Sequence, residues 1–284
     1  MVLPGIAFVI VFNYMPMAGV QIAFKQWSFS KGIWGSPWIG FANFDFLLQG
    51  DFWQVVSNTF TITLLRLAFG FPAPIILALL LNELRFFRYK RVIQTISYLP
   101  HFMSWIVVIG LMQSMLALDD GVINNLIMKL GGHQVLFMGS TAWFRPLVVG
   151  SGMWKEVGWG RIIYLATIAG INPELYEAAI VDGAGRWKRL LHITLPMMVP
   201  TMSILLVLNM PGLLSVGIDQ IYPMLNPGNM AVGDVVDTYI LRLGIGQVRY
   251  SETAGIGLIM SVLSTSLVLF SNAASKRLGG EGIW

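Results

Sequence analysis

Side chains able to do chemistry fall into two groups in this sequence. Lys155, Glu156 and Arg161 stand inside an otherwise apolar stretch, where two cations and a carboxylate could contact a polar solute or pair with neighbouring groups. Asn172 to Pro196 (NPELYEAAIVDGAGRWKRLLHITLP) collects carboxylates, small residues and cations in one polar segment. Arg66, Gln113, Asn209, Asp219 and Gln220 are single polar residues in or beside apolar runs. They offer hydrogen bonds to a hydroxyl-rich ligand or between helices. None of this is catalytic in pattern. The chain has no H-E-x-x-H, no G-x-S-x-G and no carboxylate pair within a span. His101, His133 and His192 lack metal-ligand spacing, and the absence of cysteine excludes disulfides and thiolate chemistry.

Composition decides which elements hold these residues. The 284 residues are 56% hydrophobic and 11% charged, with a mean hydropathy of +0.70, whereas soluble domains carry about 25% charged residues. A soluble enzyme is excluded, and an all-α polytopic membrane protein is expected. At about 20 apolar residues per span, the length holds about six spans and their loops as one domain, 1–284. An unpaired charge at the bilayer centre costs at least ~2.5 kcal/mol. Charge-poor stretches therefore place the spans at about 3–24, 58–82, 92–118, 146–170, 197–218 and 253–275, the fourth carrying Lys155, Glu156 and Arg161 as the exception. Pro16, Pro72, Pro74, Pro100 and Pro211 lie in or near spans and predict bends, which neighbouring helices can accommodate.

The net charge of +4 comes without a lysine-rich stripe interleaved with aromatics, so nucleic acid is not an expected partner. Topology accounts for the charge better. Arg85, Arg88, Lys90 and Arg91 crowd residues 82–92; Arg186, Lys188 and Arg189 fall in 171–196; Lys276 and Arg277 end the last span. Lys25, Lys31, Lys129, Arg145, Arg242 and Arg249 are spread through the longer opposite loops. The positive-inside rule then puts both termini and the two basic loops in the cytoplasm. Met1 leads directly into an apolar run without preceding basic residues, which points to a natural chain that begins earlier. That run is longer than a signal-peptide core and no small-x-small site ends it.

Within the loop 172–196, Asn172 at the N-cap, Pro173 at the first position and Glu174 in the first turn predict a helix, ended by Gly183 or Gly185. Leu175, Ala178, Ala179 and Asp182 share one face of it, with Glu177 alongside. Two adjacent alanines admit another backbone closely. A loop of this size cannot cover that face itself, so a separate cytoplasmic protein is expected to, the alternative being a helix lying on lipid headgroups.

Glu177-Ala178-Ala179, three residues, Gly183, nine residues, Ile193, then Leu195-Pro196 resembles without gaps the EAA loop of ATP-binding-cassette (ABC) importer permeases. YMPMAGVQIAFK (Tyr14 to Lys25), WIGFANF (Trp38 to Phe44), DQIYPMLNP (Asp219 to Pro227), DVVDTYILRLG (Asp234 to Gly244) and GGEGIW (Gly279 to Trp284) are similar to blocks of the carbohydrate branch, specifically permeases of alginate and aldouronate type. The resemblance implies a type I permease of six transmembrane helices in the cytoplasmic (inner) membrane of a prokaryote, whose EAA loop is a coupling helix seated in a cleft of the ATPase subunit. On that basis Glu177, Ala178, Ala179, Asp182 and Gly183 form the ATPase-coupling site, with Asp182 and Gly183 shaping its turn. It further implies a second homologous permease, two ATPase subunits, an extracytoplasmic solute-binding protein and a saccharide cargo, with a uronate-containing one expected. The chain has no G-x-x-x-x-G-K-[ST] phosphate loop. No cofactor is expected on this chain; ATP and Mg belong to the partner ATPase, and this subunit is not itself an enzyme.

Candidate path residues are Arg66, Gln113, Trp154, Lys155, Trp159, Arg161, Asn209, Asp219 and Gln220. WKEVGW (Trp154 to Trp159) also resembles a stretch common to many sugar permeases, which leaves helix packing or gating as the competing role. Trp27, Trp34, Trp38 and Trp143 lie in external segments that could receive a binding protein or serve as interfacial anchors. Another importer cargo, or a secondary transporter, is the rival reading; the latter needs an ion-coupling site, and no paired intramembrane carboxylates offer one.

Overall fold

The computed structural model describes residues 2–84 and 86–277. Arg85 and the GGEGIW block lie outside the described residues. The described residues are helical, with a single antiparallel bridge between Lys25 and Trp38. Helix α1 is Leu3–Phe24 and α2 is Gly50–Glu83; α3 (Phe87–Phe102) and α4 (Trp105–Met115) meet at 103°. Helix α5 is Thr141–Ala169, α6 is Pro173–Val181, α7 is Arg186–Asn209 and α8 is Tyr250–Arg277.

Proline sets most of the departures from regular helix. A widened π-turn at Arg66–Gly70 precedes Pro72 in α2, and another at Leu190–Thr194 precedes Pro196 in α7. A proline lacks the N–H that would continue the ladder, so the preceding turn relaxes. At Pro100 the relaxation becomes a break. Leu99–Phe102 tightens, Met103 is extended, and Ser104 restarts the helix by accepting the Val107 N–H at 3.4 Å.

Among the described residues, four helices, α1, α2, α7 and α8, are long and apolar enough to cross a membrane, and the bent pair α3/α4 makes up to five. Helix α5 is 29 residues long but carries Lys155, Glu156 and Arg161, so its charge separates it from the others. Six spans are consistent with this set. Helix ends and two of the expected stretches differ along the chain. The span expected at 92–118 is not one straight helix but the α3/α4 pair. The span expected at 197–218 is the helix Arg186–Asn209, followed by a tight turn, Met210–Leu214. Arg186, Lys188 and Arg189 begin that helix instead of lying in a loop, because long cationic side chains can reach the interface from a helix end. Pro211 and Gly212 bring the helix to its end.

Only 6% of the apolar window of α1 and 17% of that of α2 is buried within the chain, so their outer faces meet lipid or other subunits. The internal core has two levels. Ile75 and Ala78 of α2, Tyr164 and Ile168 of α5 and Met198 of α7 pack towards the loop that holds α6. At the opposite end, Ile62, Ile109, Phe144 and Val148 pack against Val216, Ile221, Met224 and Val235 of the long segment between α7 and α8.

Asn58 ties that segment down. Its fully buried amide donates to the carbonyls of Ala231 and Asp234, both at 3.0 Å, and its oxygen accepts from Arg145 Nη2 at 3.0 Å. Asn58→Leu takes the side-chain donor from the Asp234 carbonyl and the acceptor from Arg145 Nη2, at about 1–3 kcal/mol for each unsatisfied group, while Gln54 Nε2 still reaches the Ala231 carbonyl at 3.2 Å. A lower thermal midpoint and faster proteolysis at 226–236 in detergent are expected; an unchanged midpoint would refute the tie.

Candidate functional site

The charges of α5 are explained by the break between α3 and α4. Lys155, 6% exposed, donates to the His101 carbonyl at 2.7 Å, one of the acceptors that the interrupted helix leaves without an N–H partner. Glu156 reaches Lys155 Nζ at 3.4 Å and His101 Nδ1 at 2.8 Å. The His101 ring stacks on Trp159, with centroids 4.5 Å apart and planes within 2°. Arg161, fully buried, donates to Ser97 Oγ at 2.6 Å and the Gln94 carbonyl at 3.1 Å, and sits over the Tyr98 ring. Such charge-assisted bonds are what make an intramembrane cation tolerable. Gly158 lets the helices come this close, because a Cβ there would overlap the Ser97 carbonyl oxygen.

Arg66 and Gln220 form a second polar node. Arg66 donates to the Gln220 side-chain oxygen and to the Val216 carbonyl. The buried Gln220 amide donates in turn to the Val148 carbonyl at 2.8 Å and Ser151 Oγ at 2.9 Å. The node thus joins α2, α5 and the segment after α7, with Arg66 Nε alone among its buried donors left without a partner. Gln113 is exposed and reaches the Pro223 carbonyl at 3.4 Å. Asn209 bonds to Leu205 of its own helix, Asp219 is exposed, and Trp154 is 50% exposed. The expected path residues therefore form two separate clusters, with Gln113 and Asn209 bonded elsewhere and Asp219 and Trp154 exposed. A cavity of about 330 Å³ opens between Ser215, Asp237, Ser261 and Thr265.

The loop 172–196 folds largely as its sequence indicates. Asn172 Oδ1 accepts the Glu174 N–H at 3.0 Å, Pro173 opens α6, and Gly183 adopts φ +75°, a left-handed conformation suited to glycine. The turn is closed by backbone bonds, Gly183 N–H to the Ile180 carbonyl at 3.0 Å and Ala184 N–H to the Ala179 carbonyl at 2.8 Å. No residue of α6 is buried. Glu177, Ala178, Asp182 and Gly183 are exposed and Ala179 is half-buried, so one accessible surface carries all five. Sequence reading missed Tyr176 and Thr194, whose hydroxyls bond at 2.9 Å, and His101, Ser97 and Gln94 beside α5. Their partners are far along the chain, and no local spacing signals them.

Residues 70–279 match the family described as binding-protein-dependent transport system inner membrane component. The chain belongs to that family. Its α6 loop lies inside the matched region, as do α5, α7 and α8. Among relatives of this inner-membrane component, Protein LplB of Bacillus subtilis (strain 168) is 45% identical over 285 residues, covering 100% of this chain and 90% of LplB. The polygalacturonan/rhamnogalacturonan transport system permease protein YteP of the same organism is 41% identical, covering 100% and 89%. A chain in a crystal structure of a bacterial ABC transporter involved in import of the acidic polysaccharide alginate superposes with a TM-score of 0.92, at 43% identity, over 98% of this chain and 94% of that one.

Proposed function

We propose that this inner-membrane component is the permease subunit of an ATP-driven importer for oligo- or polysaccharide, with six spans and both termini in the cytoplasm. The observation that carries the reading is α6: a capped helix with no buried residue, bearing the complete EAA spacing inside a matched transport family. Two ATPase subunits, each holding ATP and Mg, would engage α6 and the equivalent helix of a second permease. An extracytoplasmic binding protein would deliver the cargo. Closure of the ATPase dimer would draw the two coupling helices together and rock the membrane helices from inward-open to outward-open. Such a change is driven by differential contacts in the two states.

A uronate-containing cargo is favoured by the named specificities of the relatives, polygalacturonan and alginate. Four cations that could meet an acidic sugar, Lys155, Arg161, Arg242 and Arg249, are engaged already. Arg242 pairs with Asp234 and Arg249 with Glu252, each at 2.6 Å, while Lys155 and Arg161 cap the helix break. Selection of the acidic group is therefore assigned chiefly to the binding protein. Liposomes holding this chain, its second permease, ATPase and binding protein test the reading. Oligogalacturonides and alginate oligosaccharides should stimulate ATP hydrolysis more than neutral maltodextrins. Stimulation by neutral sugars alone removes the uronate preference, and no response to any sugar overturns the saccharide reading.

A further inference from the structure

Helix α6 is joined to its two neighbours in unequal ways. On the α5 side the connection is short and fastened: Ile171 is buried, and Asn172 caps the first turn through its side chain. On the α7 side the connection runs through Asp182 to Gly185, with Gly183 in the left-handed region and nothing within 4 Å of a Cβ at Gly183 or Gly185. A glycine-containing turn with open space around it is a compliant link. A displacement of α6 therefore reaches α5 through the backbone but is poorly transmitted to α7 by that route.

One side-chain contact bypasses the turn. Tyr176 Oη, on α6, bonds to Thr194 Oγ1 at 2.9 Å. Thr194 is 4% exposed and ends the π-turn Leu190–Thr194, where the α7 ladder is loosened just before Pro196. Beside this bond lies a cavity of about 220 Å³ lined by Asn82, Glu83, Tyr176, Arg189, Leu190 and Thr194. The foot of α7 thus has a loosened turn to bend at, open volume to bend into, and one hydroxyl pair holding it to α6.

We propose that the Tyr176–Thr194 hydroxyl pair is a strut that makes the foot of α7 move with α6, so that Tyr176 is a positioning residue for coupling. The inference rests on the coupling reading of α6 and adds the route by which its motion enters the second half of the chain. It also gives a physical role to the stretch between the EAA residues and Leu195-Pro196, which places Thr194 opposite Tyr176.

These 284 residues contain no cysteine, so Glu174→Cys and Leu208→Cys can be spin-labelled in the assembled transporter. The α6–α7 distance is then read without nucleotide and after trapping with Mg-ATP and vanadate. With Tyr176 intact, one distance population should persist through trapping. Tyr176→Phe, which keeps the ring, should add a second, shifted population in the trapped state while ATPase subunits still co-purify. Thr194→Val should do the same, Thr194→Ser should restore the single population, and the double variant should be no worse than either single one. An unshifted Tyr176→Phe population overturns the strut, as does additive behaviour of the double variant or loss of the ATPase subunits. If Glu177→Ala disrupts ATPase coupling while Tyr176→Phe leaves the distances alone, only the strut fails. If neither changes anything, the coupling reading fails with it.

Discussion

Valine at Gly158 should leave little folded chain in the membrane. A Cβ there overlaps a backbone oxygen, that of Ser97, and backbone cannot swing aside as a side chain can, so α3 has to withdraw from α5. Overpacking alone costs about 1–3 kcal/mol. The withdrawal also pulls Gln94 and Ser97 from the buried Arg161 guanidinium, and each hydrogen bond to a charged group contributes about 1.5–3 kcal/mol. Set against a typical stability of about 5–15 kcal/mol, that is a large fraction. Gly150→Ala is the matched control, since nothing lies within 4 Å of a Cβ there and alanine favours helix by about 0.5–1 kcal/mol. Yield and thermal midpoint in detergent, followed by tryptophan fluorescence, should fall sharply for Gly158→Val and hold or rise for Gly150→Ala. Equal midpoints would mean that the α3–α5 approach is looser than described.

The second large effect concerns function without fold. Glu177 is exposed on a helix that buries nothing, and surface substitutions of this kind usually shift stability by no more than about 0.5 kcal/mol. Glu177→Ala should therefore express and melt like the unchanged chain, yet cargo-stimulated ATP hydrolysis and uptake should fall by about tenfold, within the usual range for coupling between distant sites. Reconstituted liposomes measure both. Normal stimulated hydrolysis in Glu177→Ala would remove α6 from the ATPase interface.

The contrast between these two sites shows what a sequence can carry. Helix α6 was legible because its determinants are local: Asn172, Pro173 and Gly183 act within a turn of where they stand, and the EAA spacing is contiguous. The long apolar helices were legible as charge-poor runs more readily than in their course. Pro100 announced a bend in the third, but the 103° turn depends on Lys155 reaching the His101 carbonyl, 54 residues away. Helix α7 starts at Arg186, ahead of the charge-poor stretch from 197, because a charge count sets a cationic helix end apart from the apolar run that continues it. Gln220 drew notice as a lone polar residue. Its part in joining Arg66, Val148 and Ser151 exists only once three distant segments meet.

The dependence of α5 on α3 reaches back to the chain's synthesis. On the translocon scale each lysine, arginine or aspartate near a helix centre disfavours insertion by about 2.5–3.5 kcal/mol, and α5 presents Lys155, Glu156 and Arg161 together. Entering the bilayer alone, it would carry Arg161 without its acceptors and Lys155 with only Glu156 beside it. The acceptors for both cations, Gln94, Ser97 and His101, belong to α3, which leaves the ribosome first. An α5 that enters after α3 therefore meets acceptors already in place for both of its buried cations.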